Sequence, residues 1–215
     1  MFGFEETVID ICQKVQYLYL DWREKMNCAL IVIDMQYWFF RTEERRGKLN
    51  QLISSINELI EFADSKKIPV IHVKTEHKAD KSTWNIVMKK HDLALMIENS
   101  EEAKMLKEII VRDNHKFIVK TRQSTFIRTN FEEILRQMNI DTLILAGVFT
   151  HGCVGRTAID AYERDYNVII AKDCVFSHVK NQEQAMLEVI QFEQEQMILD
   201  NQEIERFIYK GEIAQ

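Results

Sequence analysis

A chain of 215 residues with 46% hydrophobic and 29% charged residues can bury one sizeable core, and its composition is that of a globular protein. The net charge of −6 gives no electrostatic reason to expect nucleic acid or an anionic membrane as partner, and no apolar run reaches the roughly 18 residues of a membrane span. Pro69 is the single proline and no Ser/Gly-rich tract occurs, which argues against a linker or a disordered segment. Glu5, Glu6 and Asp10 near the start are not expected in a secretory signal. Cys12, Cys28, Cys153 and Cys174 show no paired spacing, so neither a disulfide framework nor a zinc knuckle is expected, and a reducing cytoplasm fits.

Phe4, Val8, Ile11, Val15, Leu18 and Trp22 step by four and three, the signature of one helical face. This helix is read as an extension over residues 1–26, ahead of a main domain over 27–215. Its apolar face needs a covering surface, which predicts a homo-oligomer, a dimer or a tetramer. The run Ala29 to Ile33 predicts a strand buried on both faces, and Leu49 to Ala63 an amphipathic helix. Pro69 to Val73 reads as a second strand. Glu76 to Asn99 is polar and weakly patterned, a long excursion of the kind that covers a site.

Met105, Leu106, Ile109 and Ile110 suggest a further helix, and Lys116 to Lys120 a third strand. A helix carrying Phe131, Ile134, Leu135 and Met138, capped by Thr129 or Asn130, leads to a fourth strand, Thr142 to Ala146. A glycine-rich turn and a helix over Arg156 to Arg164 follow, then a strand at Val168 to Ala171. A helical pattern from Gln182 to about Met197 and a short amphipathic tail at Ile204 to Tyr209 complete the chain. Strands alternating with helices predict an α/β fold: a doubly wound, mainly parallel sheet of five or six strands with helices on both faces, a Rossmann-like three-layer arrangement. The expected strand order is second, first, third, fourth, fifth. That order places a ligand site between the strands ending at Ile33 and Lys120.

The glycine turn carries the strongest chemical signal. Three of the six glycines, Gly147, Gly152 and Gly155, fall within nine residues, between a strand and a helix. Cys153 sits at the helix start, where unpaired N–H groups lower a thiol's pKa and can receive an oxyanion. Asp34 and Lys120 end two other strands, so the fold is expected to gather Asp34, Lys120 and Cys153 at one edge of the sheet. A carboxylate there can take the thiol proton, and an adjacent ammonium favours the thiolate.

These residues lie in recognisable segments. Asp34-Met-Gln-Tyr-Trp-Phe39, Lys120-Thr-Arg-Gln-Ser-Thr-Phe126 and Gly147-Val-Phe-Thr-His-Gly-Cys-Val154 resemble, in that order, three segments of the isochorismatase-like cysteine hydrolases. The resemblance runs from about Cys28 to about His178. It implies a hydrolase with an Asp34-Lys120-Cys153 triad, a cis peptide at Val148–Phe149, and an oxyanion hole of the Phe149 and Cys153 N–H groups. Gln36, Phe39, Trp84, Phe126 and Phe149 are expected to bind a small-molecule substrate, with Trp38, Arg122, Ser124 and His151 as further pocket candidates.

Zinc-dependent nicotinamidases, which resemble the same family, carry an Asp-x-His pattern after the second strand. Here that region holds Glu76, His77 and Asp80 without the pattern, so neither a metal nor another cofactor is expected. Retention of Cys153 favours acyl-enzyme cleavage of an amide or ureido C–N bond. The alternatives are vinyl ether hydrolysis with Asp34 as general acid, and a vestigial scaffold without activity.

Overall fold

The apolar run near the start forms strand β1, Cys28–Ile33, in which Ala29 to Ile33 are at most 1% exposed. A continuous aliphatic strand buries both faces because successive side chains point to opposite sides of a sheet. The computed structural model describes residues 26–209, and the helix expected from Phe4 to Trp22 lies outside them. After β1 come α1 (Glu43–Arg46), α2 (Leu49–Ser65), β2 (Val70–Thr75), α3 (Ile86–His91), β3 (Lys116–Lys120) and α4 (Phe131–Gln137). Then follow β4 (Thr142–Val148), α5 (Gly155–Tyr162), β5 (Asn167–Phe176), α6 (Lys180–Glu188), β6 (Met197–Leu199) and α7 (Asn201–Tyr209).

The six strands form one all-parallel sheet in the order β3-β2-β1-β4-β5-β6. The three-layer α/β/α arrangement is as the alternating pattern predicts. On one face Leu30 and Val32 meet Leu52, Ile56, Leu59 and Ile60 of α2 and Ile204 of α7. On the other, Ala29, Ile31 and Ile33 meet Phe131 and Leu135 of α4 and Ala158 and Ala161 of α5. Among the described residues no helix is long and apolar enough to cross a membrane.

The strand order differs from the expected one. β3 lies at the sheet edge beside β2, not beside β1, so the point where the order reverses falls between β1 and β4. The residues of β3 carry the reason. In Lys116-Phe-Ile-Val-Lys120 only Ile118 and Lys120 are buried, a half-exposed strand with a lysine at each end, as edge strands require.

Two further expectations fail locally. Met105 to Ile110 is not helical. Met105 bridges Gln36 in antiparallel fashion, Leu106 N donates to Met35 O at 2.8 Å, and Leu106 and Ile109 are buried as parts of an extended strap. The helix read from Gln182 to Met197 stops as α6 at Glu188, unwinds through a wide turn at Val189–Glu193, and gives way to β6. The edge of β5 offers unpaired backbone groups there, and β6 takes them up.

Candidate active site

Four strand ends converge on one spot. Asp34 follows β1 in a left-handed conformation, φ 57°, which a short polar side chain tolerates better than most. The carboxylate is fully buried. Its Oδ1 accepts from Thr75 Oγ1 at 2.9 Å, and its Oδ2 accepts from Lys120 Nζ at 2.8 Å. Lys120, the last residue of β3, also donates toward Thr75 Oγ1 at 2.7 Å, Arg122 O at 3.1 Å and Cys153 Sγ at 3.3 Å. One ammonium thus touches the carboxylate, the hydroxyl and the thiol together.

The third element is the turn after β4. Gly147 has φ +111°, and a Cβ there would lie 2.0 Å from Ile33 O. Only glycine lets β4 come this close to the end of β1, where Asp34 begins. The Val148–Phe149 peptide is cis. A one-turn wide helix, Thr150–Val154, breaks at Gly152 (φ −112°, ψ −110°) and feeds α5, which leaves Cys153 at the head of the regular helix. Thr157 Oγ1 donates to Cys153 O at 2.7 Å and accepts from Thr125 N at 3.1 Å, tying the turn to the loop after β3.

Burial changes the expected electrostatics. The Cys153 thiol is pushed up to about 12 by desolvation first and by the Asp34 charge second, with Lys120 opposing. The lowering expected from a helix start is outweighed, because a dry site penalises a third charge. For Lys120, burial alone would lower the pKa, but Asp34, Cys153 and their hydrogen bonds raise it above the ordinary lysine value. The resting site is therefore a buried Asp34–Lys120 ion pair beside a neutral thiol.

A family model for the isochorismatase domain matches residues 28–202. The chain belongs to the isochorismatase family. A relative in Arabidopsis thaliana, named a probable inactive nicotinamidase, is 30% identical over 71% of this chain and 80% of its own length. The solved isochorismatase family protein of Desulfovibrio vulgaris superposes with a TM-score of 0.76 at 21% identity, covering 86% of this chain and 100% of its own. The N-carbamoylsarcosine amidase of Thermoplasma acidophilum superposes with a TM-score of 0.71 at 23% identity, covering 82% and 97%.

In this member of the isochorismatase family a cavity of about 570 Å³ opens onto Lys120 and Cys153. Phe39 and Phe149 line it, their rings 5.5 Å apart in an edge contact, and Trp38, Arg122 and His151 line it too. Gln36, Trp84 and Phe126, expected as substrate contacts, lie elsewhere. The Gln36 amide is fully used on backbone, donating to Thr75 O at 2.9 Å and Ala103 O at 2.6 Å and accepting from Thr75 N at 2.8 Å. It holds the end of β2 in place. Trp84 is buried with its Nε1 donating to Lys78 O at 3.0 Å, and Phe126 packs on Phe131 and Tyr166 in the core. Ser124 is likewise buried and receives Phe126 N at 3.2 Å.

His151 is engaged elsewhere, its Nδ1 2.6 Å from Ser177 Oγ and its ring stacked on Phe149. Glu76, His77 and Asp80 each turn to a local partner: Lys74, Thr83 O and Ser82 N. Sequence reasoning missed Thr75, Arg45 and His178. Thr75 was legible in principle as the last residue of β2, but it matters only because β2 lies between β1 and β3. Arg45 and His178, 133 positions apart, meet through Arg45 Nη2 and His178 Nε2 at 3.1 Å, and no local pattern announces such a pair.

Proposed function

We propose that the protein is a cysteine hydrolase that cleaves an amide or ureido C–N bond of a small molecule through an acyl-enzyme on Cys153. One observation carries this reading: Lys120 Nζ contacts both Asp34 Oδ2 and Cys153 Sγ at the floor of a substrate-sized cavity. Asp34 takes the thiol proton as the sulfur attacks the carbonyl carbon. As the proton moves, the Asp34–Lys120 ion pair becomes a thiolate–Lys120 pair, and the attack passes that one charge on to the carbonyl oxygen, so the charge count is unchanged and the high thiol pKa is no obstacle. The developing oxyanion is received by the Phe149 and Cys153 N–H groups. Asp34 delivers its proton to the leaving nitrogen, the C–N bond breaks, and an amine or ammonia departs. Water, deprotonated by Asp34, attacks the thioester, and the acid leaves as the Cys153 thiol regains its proton.

Thr75 keeps Asp34 and Lys120 aligned through these proton transfers, and Gln36 holds Thr75. No step calls on a metal.

The test is a panel of small amides and ureido compounds with product analysis and intact-protein mass spectrometry. Release of ammonia or amine, with a transient acyl adduct mapped to Cys153, is the expected result. Pyruvate release from isochorismate by a Cys153→Ala variant at undiminished rate would replace this mechanism with vinyl ether hydrolysis by Asp34.

A further inference from the structure

The sheet order leaves the site with a gap to close. Lys120 ends β3 and Cys153 follows β4, and β2 and β1 lie between those strands, roughly 14 Å across at about 4.8 Å per strand. Yet Lys120 Nζ lies 3.3 Å from Cys153 Sγ. The contact therefore depends on how the loop after β3 meets the turn after β4.

Two buried threonines join these segments. Thr125 belongs to the loop and Thr157 to α5, and both are 0% exposed. The Thr157 hydroxyl has one proton and two lone pairs. Its proton goes to Cys153 O at 2.7 Å. The same oxygen accepts from Thr125 N at 3.1 Å. Since its own proton is already donated, the 3.1 Å contact between the two hydroxyls is a donation from Thr125 Oγ1. The hydroxyl is used to capacity, with one bond to the residue that carries the sulfur and two from the loop that begins at Lys120. That loop is laced along its length: Lys120 Nζ donates to Arg122 O at 3.1 Å, Thr129 Oγ1 donates to Thr125 O, and Phe131 N donates to Thr129 Oγ1 at 3.2 Å. Phe126, packed on Phe131 and Tyr166, adds apolar adhesion. Adhesion brings surfaces together without fixing their angle, whereas hydrogen bonds are directional.

We propose that Thr157 is a positioning residue: its hydroxyl clamps the loop after β3 to the carbonyl of Cys153 and so sets the contact of Lys120 with the sulfur. Its part in turnover rests on the cysteine-hydrolase reading, while the clamp stands on the hydrogen bonds of Thr125 and Thr157. A threonine in a helix can bond the carbonyl four residues back for local reasons alone. What sets this one apart is that it also accepts twice from another segment.

The experiment compares Thr157→Val, which keeps the shape and deletes the hydroxyl, with Thr157→Ser, which keeps the hydroxyl. Two probes read the sulfur in ligand-free protein. With p-nitrophenyl acetate, Asp34 takes the thiol proton, the sulfur takes the acetyl group, the ester C–O bond breaks and p-nitrophenolate leaves; iodoacetamide needs only the thiolate. Thr157→Val should be acylated about 10- to 100-fold more slowly, the scale expected when a reacting group is displaced by about 1 Å. Its alkylation rate should level off above about pH 9, where the wild type keeps climbing to about pH 10, because a sulfur freed from the dry site titrates as an ordinary thiol. Thr157→Ser should be acylated within about threefold of the wild-type rate and keep the wild-type alkylation profile. A purely structural role would lower the melting temperature of Thr157→Val and leave both rates of the folded protein unchanged. That result, or a Thr157→Ser no better than Thr157→Val, overturns the proposal. Should Thr157→Val fail to fold, Thr125→Val, which loses one of the two loop bonds, decides: acylation about threefold to tenfold slower is expected, and an unchanged rate overturns the clamp. Wild-type protein that neither takes the acetyl group nor cleaves any amide removes the hydrolase reading alone, because the alkylation profiles still decide the clamp. Wild-type protein that is acylated at a rate the Val variants match removes the clamp alone.

Discussion

The floor and the wall of the cavity are built on opposite rules. At the floor, Asp34, Thr75 and Lys120 satisfy one another in a closed set of hydrogen bonds around Cys153. At the wall, Trp38, Arg45 and His178 each keep a buried donor with nothing to receive it. The floor is complete before any ligand arrives, which is what preorganised chemistry needs. The wall keeps donors that nothing in the protein receives, and a buried donor left without an acceptor costs free energy.

Breaking the floor at its reacting atom should have the largest effect. Cys153→Ala is expected to lower turnover by about 10⁴-fold or more while changing unfolding free energy by no more than about 1–2 kcal/mol, because it removes one buried sulfur and leaves no charge uncompensated. Asp34→Asn should be about as damaging to turnover, since an amide can neither take nor return the proton. Steady-state rates with denaturant unfolding on the same samples measure both sides. Residual turnover within about tenfold of wild type in Cys153→Ala would sink the acyl-enzyme.

Next in size is the pH response of the thiol. With its pKa pushed up to about 12, Cys153 in ligand-free protein should be alkylated by iodoacetamide at a rate climbing about tenfold per pH unit from about pH 7 to about pH 10. Peptide mapping assigns the site. A plateau near neutrality would mean that the helix start, and not burial, governs this sulfur. The sign for stability follows from the same shift. The unfolded chain ionises this thiol first, so its contribution is present below about pH 9 and is lost as the pH rises toward about 12.

Lys120→Met removes one half of a fully buried ion pair and leaves Asp34 uncompensated. The expected loss is about 3–5 kcal/mol of unfolding free energy by urea titration. Thr75→Val keeps the shape and deletes the hydroxyl that both charges use. About 1–3 kcal/mol should be lost, together with a drop in rate of about 10- to 100-fold. The smallest effect sharpens the contrast: Arg45→Gln at the wall should change unfolding free energy by no more than about 1 kcal/mol, because this partly exposed side chain gives up one hydrogen bond to His178 and its contact with the Phe149 ring. A loss like that of Lys120→Met would show that the wall, too, is structural.

The parts of the site that were legible in the sequence are those written in short segments. Gly147 and Cys153 sit six positions apart in one turn, and a strand followed by such a turn and a helix announces its own geometry. Asp34 and Lys120 each end an apolar run, so their place at a strand terminus follows from local pattern. Gln36, Trp84 and Phe126 were misplaced for the same reason: adjacency to a motif says nothing about which way a side chain turns. Met105 to Ile110 has helical spacing, yet its backbone finds partners on the segment after β1, and tertiary pairing overrides a weak local preference.

By itself the sequence determined the α/β class, most of the strands, the strand–turn–helix that carries Cys153, and the strand ends that hold Asp34 and Lys120, because each depends on periodicity or spacing within about twenty residues. Tertiary structure alone decided the strand order, and with it the entry of Thr75 between Asp34 and Lys120. It also decided the direction of the thiol's pKa, since desolvation is a property of everything packed around an atom. The wall of Trp38, Arg45 and His178 belongs to the same class. Its members come from the segments after β1 and β5, and only the packed sheet brings Arg45 and His178 onto the ring of Phe149 and sets Trp38 beside them through Phe39.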